Sequence, residues 1–172
     1  MTDQELYEEG WERFPWWWIL LENLFMFAPW AIGFAVMWPL KVAGVPVASL
    51  GYALFILITV GWLLKVHNCS TCIYYDEWCH LGWGKYTAVF CQRDAGNPEI
   101  GMKLAVVYMI LPLVPIVGTI GVMLLDGFSW ALLGWMVVFV VLNGVQFAVL
   151  RPQGCARCKR RYTCPGSAAR QT

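Results

Sequence analysis

Charge is scarce in this chain. Asp, Glu, Lys and Arg supply 13% of the 172 residues against 59% hydrophobic ones, where a soluble domain carries roughly 25% charged residues. That shortage excludes an ordinary soluble globular domain, because most of this apolar surface has to face lipid. The acidic, polar stretch 1–12 lacks the basic n-region of a cleaved signal peptide, so the first apolar segment is expected to be retained. Catalytic patterns are missing as well. No Ser/His/Asp arrangement, nucleotide loop or paired-carboxylate motif is present, and Gly82-Trp83-Gly84 is not followed by a P-loop or dinucleotide fingerprint. The chain therefore shows no self-contained catalytic constellation. No nucleic-acid partner is expected either, since Lys159-Arg160-Arg161 beside a helix end reads as a topology determinant and anionic-lipid contact.

What the chain does have is long apolar runs. Trp16–Leu40, Pro46–Lys65, Met102–Leu125 and Ser129–Leu150 each satisfy the requirement of about 20 mostly apolar residues for crossing a bilayer. The links Lys41–Val45 and Asp126–Phe128 are short enough to force the runs into two helical hairpins. The expected fold is an all-α polytopic membrane protein. It has an N-terminus (1–15), a first transmembrane hairpin (16–65), a cysteine-rich loop (66–101), a second hairpin (102–150) and a cysteine-rich tail (151–172). Four spans put the N-terminus, loop and tail on one face. Of the basic residues only Lys41 falls on the other face, so the positive-inside rule makes the cysteine-bearing face cytoplasmic, in an inner or plasma membrane. Trp16, Trp17, Trp18, Trp38, Trp62 and Trp130 lie near span ends, as interfacial anchors do. Pro29, Pro112 and Pro115 fall inside spans and are expected to kink them.

Seven cysteines all lie outside the spans on that one face. Cys69, Cys72 and Cys79 form C-x2-C-x6-C; Cys155, Cys158 and Cys164 form C-x2-C-x5-C; Cys91 stands alone. Each triplet follows a hairpin, which suggests an internal repeat about an axis along the membrane normal. A reducing cytoplasm turns such clusters from disulfides toward metal ligation. The short C-x2-C spacing lets two thiolates meet one metal centre while backbone N–H groups donate to the sulfurs. Cys69, Cys72, Cys155 and Cys158 would close a tetrahedral zinc site, but zinc leaves Cys79 and Cys164 unexplained at matching places.

The tail motif Cys155-Ala-Arg-Cys158-Lys-Arg-Arg-Tyr-Thr-Cys164-Pro165-Gly166 resembles the C-x2-C-x5-C iron–sulfur motif of SPASM extensions of radical SAM enzymes and of RecB-like nucleases of CRISPR adaptation. The resemblance covers about a dozen residues. It implies that Cys155, Cys158 and Cys164 are three ligands of a [4Fe–4S] cluster, with Cys69, Cys72 and Cys79 a variant carrying one extra residue. Cys91 is a candidate fourth ligand for the loop triplet, and His67 or His80 for a mixed site like a Rieske centre; alternatively one cluster or zinc ion bridges loop and tail. Gly82 and Gly84 would let backbone approach such a site, and Trp83, Tyr86, Val89 and Phe90 would cover it or lie on the membrane surface.

Glu22 is the carboxylate inside a span; it reads as an interfacial residue reaching headgroup water, against a functional reading as a proton or ion ligand. Asn143 and Gln146 are expected to hydrogen-bond between helices. The expected function is that of an iron–sulfur subunit serving electron transfer, or a redox accessory, in a larger membrane complex. The alternatives are an assembly subunit with zinc joining loop to tail and, third, a carrier of soft metal ions.

Overall fold

The computed structural model describes residues 6–164 and 166–169. Pro165 of the tail motif, and the segment ends 1–5 and 170–172, lie outside the described residues. The fold is all-helical, and four helical stretches are long and apolar enough to cross a membrane: Trp16–Val36, Val47–Cys69, Pro98–Asp126 and Trp130–Ala156. No more than 28% of any span window is buried inside the protein. Side chains such as Leu24, Leu57, Val117 and Leu124 point outward, an arrangement water would not tolerate and lipid requires.

Helix α1 (Trp16–Val36) passes Pro29 without a break. The turn after it is tight: Ala43 and Gly44 have φ of 50° and 82°, and Val42 and Val45 exchange both backbone hydrogen bonds at 2.9 and 3.0 Å. Two successive left-handed residues are the mark of a type I′ turn. Helix α2 (Val47–Ile58) returns and continues in π-helical turns over Thr59–Leu63 and Lys65–Cys69. The third span is two helices, α4 (Pro98–Ile110) and α5 (Leu113–Asp126), separated at Leu111–Pro112, where the proline ring cannot fit the preceding turn. Pro115 lies in the first turn of α5, where its missing N–H costs nothing. Helix α6 (Trp130–Val145) becomes π-helical over Gln146–Leu150 and ends as the short α7 (Arg151–Ala156).

Helix α1 ends at Val36, short of the expected Leu40, while the second and fourth spans differ at the cysteine-bearing end. Hydropathy stops the second span at Lys65 and the fourth at Leu150, yet both helices run on, to Cys69 and Ala156. Backbone hydrogen bonding continues through polar residues once the helix leaves hydrocarbon, so each cysteine motif is carried on a rigid extension of a span. A π-helical turn lies near the end of each of these helices, at Lys65–Cys69 and Gln146–Leu150, a geometry that is rare and enriched at functional sites.

Between the hairpins, α3 (Trp83–Phe90) is held under the second span by Lys65. The Lys65 side chain is buried, donates to the Val60 carbonyl at 3.1 Å and lies 4.2 Å from the Trp83 ring and 5.0 Å from that of Tyr86. Phe90 stacks on Trp62 with centroids 4.7 Å apart.

Candidate metal centre

The N-terminal segment, loop and tail meet at one end of the bundle. Tyr7 and Trp11 donate backbone hydrogen bonds to the carbonyls of Lys159 and Arg157 at 2.9 and 2.8 Å, and Trp11 pairs with Cys158 as an isolated parallel bridge. Tyr74 joins all three pieces: its hydroxyl donates to the Trp11 carbonyl and accepts from the Lys159 N–H at 3.1 Å. Phe14, Trp18 and Tyr74 form a buried cluster against which Cys72, Cys79 and Cys158 pack.

Between loop and tail lies a cavity of about 160 Å3 lined by Cys69, Cys72, Cys79, Cys155, Cys158 and Cys164. Both triplets thus face one space. Cys91 does not line it: it caps the far end of α3, its Sγ lies 3.5 Å from the Gln92 carbonyl and its own carbonyl accepts from the Tyr75 hydroxyl at 2.6 Å. His67 is also outside the cavity wall and accepts the Asn97 N–H on Nδ1 at 3.0 Å, fixing the start of α4. His80 does line the cavity. Thiols of loop and tail thus line one space, and Cys91, the candidate fourth ligand of the loop triplet, is not part of its wall.

The sulfurs sit among backbone donors in a repeated pattern. The backbone N–H of the residue two positions on lowers the thiol pKa in three places: Tyr74 at Cys72, Leu81 at Cys79 and Arg160 at Cys158. Trp83 and Gly84 act on Cys79 in the same direction. Donors aimed at sulfur favour thiolate, whereas burial penalises it. In the metal-free chain burial wins: it pushes the Cys72 and Cys79 thiols up and takes Cys158 to about 12. Such sulfurs are ready for charge only when a cation shares the space.

The pH dependence follows in sign. A metal ligand has to be deprotonated, so loading the site releases a proton for each bound thiol and tightens as pH rises. A Zn2+ or Co2+ titration in weak buffer is expected to acidify the solution, with affinity weakening toward low pH. The metal-free protein behaves oppositely. Cys158 ionises near 9.0 when unfolded and near 12 when folded, so stability is full below about pH 9 and is lost between there and pH 12.

The basic run of the tail turns inward. Arg160 and Arg161 line the cavity, Arg160 donates to the Thr71 carbonyl at 3.4 Å and Lys159 pairs with Glu12 at 3.2 Å. Against the burial that raises it, the Cys72 thiol pKa is lowered by the Arg160 guanidinium. Glycine's role differs from expectation. Gly82 is left-handed, φ 72°. At Gly84 a Cβ would lie 2.7 Å from the Glu77 carbonyl oxygen and closer still to that of Tyr74. Backbone approaches backbone here, closing the loop around Cys79. Of the aromatics, Trp83 lines the cavity, while Tyr86 and Val89 are exposed.

Glu22 does not reach water. It is fully buried, with Oε1 accepting from Trp18 Nε1 at 2.8 Å and Oε2 paired with Nδ1 of His80. The two donors occupy both oxygens, which removes the reason for the side chain to extend to the headgroups. The pairing spans 58 positions, and no local pattern announces it. Gln146 is buried and lines the cavity, and its Oε1 has no hydrogen-bond partner; Asn143 bonds within its own helix, to Phe139 O at 2.8 Å.

Among the described residues, no group of three or more His, Cys, Asp or Glu converges closely enough to hold a metal ion. Neither a family model, nor a curated protein, nor a solved structure matches the chain.

Proposed function

We propose that this membrane protein holds an iron–sulfur cluster between loop and tail, on a cytoplasmic face, and passes electrons between a partner subunit and a membrane acceptor such as a quinone. The observation that carries the reading is the shared cavity: six cysteines line it, and the backbone N–H two positions on favours thiolate at Cys72, Cys79 and Cys158. The donor set fits a cluster better than a single ion. Tetrahedral zinc with bonds near 2.3 Å draws its sulfurs to about 3.8 Å from one another, and no three donors here converge that way. When bound, a cluster would supply reversible one-electron chemistry. The chain's own part is to orient the thiols, cover them with Trp83, Tyr74 and the N-terminal segment, and set Arg160 and Arg161 beside them.

The test is anaerobic purification of the full chain in detergent. Iron and acid-labile sulfide in cluster stoichiometry are expected, with visible absorption that bleaches on reduction. A colourless preparation overturns the reading. Stoichiometric zinc without a redox signal would instead establish the assembly role in which zinc ties loop to tail.

A further inference from the structure

We infer that His80 is a ligand of the cluster through Nε2, completing the tail triplet Cys155, Cys158 and Cys164, and that Glu22 is the positioning residue that holds its other nitrogen; this rests on the reading of the cavity as an iron–sulfur site. The tail triplet lacks a fourth ligand, and Cys91, the cysteine left over from the triplets, lies outside the cavity. His80 lines that cavity together with all three tail thiols. Its position beside the tail is close: a Cβ on Gly154, the residue before Cys155, would fall 3.3 Å from His80 Nδ1 and 2.6 Å from Glu22 Oε1. Glycine there makes room for the pair.

The chemistry of the pair points the same way. A carboxylate on Nδ1 fixes the imidazole as the tautomer whose Nε2 carries the lone pair, and raises its basicity; histidines that bind metals are regularly held like this. Glu22 sits in a span with no exposure, where a carboxylate is costly and an apolar residue would pack at less expense. Orienting a ligand explains that cost; bracing α1 alone does not. A neutral imidazole in place of a fourth thiolate also leaves the buried site less negative.

Pulsed EPR on the dithionite-reduced full chain in nanodiscs tests this directly. A strongly coupled 14N is expected, changing to the 15N pattern when histidine is 15N-labelled. His80→Cys is expected to retain iron and sulfide, lose the nitrogen coupling and lower the reduction potential, because thiolate replaces a neutral ligand. Glu22→Gln is expected to keep the nitrogen coupling and raise the potential, since the imidazole becomes a poorer donor. A protein with full iron and sulfide but no histidine nitrogen overturns the ligation while leaving the cluster standing. Absence of iron and sulfide from the wild-type protein overturns both. The labelling needs no variant, so a misfolded substitution does not obscure the answer.

Discussion

Cys158→Ser and Cys155→Ser are each expected to strip the purified protein of its iron, lowering it by more than the roughly 10–100-fold typical of losing an outer partner, while Cys91→Ser is expected to leave it unchanged. The contrast follows from placement. Cys155 and Cys158 line the cavity; Cys91 sits at the end of α3 with its thiol toward Gln92. Serine is close to cysteine in size, so the fold survives and metal analysis reads ligation rather than collapse. Equal loss in all three variants would mean that Cys91 moves into the site, and equal retention that the cavity is not where metal binds.

Gly84→Ala is expected to be nearly as damaging with no change of donor atoms. The added carbon overlaps the Tyr74 carbonyl, which is backbone and cannot rotate away, so the loop between Cys72 and Cys79 has to open. Overpacking of this kind costs about 1–3 kcal/mol or more. Here the loss falls on the loop that carries Cys79 and His80 to the cavity wall. Gly134→Ala is the control: a Cβ there meets nothing within 4 Å. Thermal unfolding in detergent, followed by metal content, separates them. A Gly84→Ala protein with unchanged melting and loading would show that the close approach has no role.

The parts of this molecule that were legible in the sequence are those that depend on neighbours along the chain. Four apolar runs became four spans because bilayer thickness and helical rise leave no other solution. The triplets could be recognised because two residues between thiols is a local geometry. What was not legible depends on distance in space. Glu22 and His80 are separated by 58 positions, so depth along α1 alone suggested snorkelling, and only the tertiary fold supplies the partners that keep the carboxylate buried. The role of Gly154 is visible only once that pair is in place. Counting ligands drew Cys91 toward the loop triplet, whereas α3, anchored by Lys65 against Trp83 and Tyr86, carries it away. Hydropathy ended the second and fourth helices early because it measures affinity for lipid, and a helix is held by its own hydrogen bonds beyond that boundary.

The strap of N-terminal residues over the tail has a consequence for biogenesis. Tyr7 and Trp11 find their partners at Lys159 and Arg157, nearly the whole chain apart. Tyr7 and Trp11, made before either hairpin, therefore wait until the tail has emerged. Contacts this distant form late, because loop closure precedes their reward. Until then only the loop's three thiols are present and the pocket has one wall. If the cavity holds a cluster, its delivery is thereby deferred to a chain whose hairpins and tail are all in place.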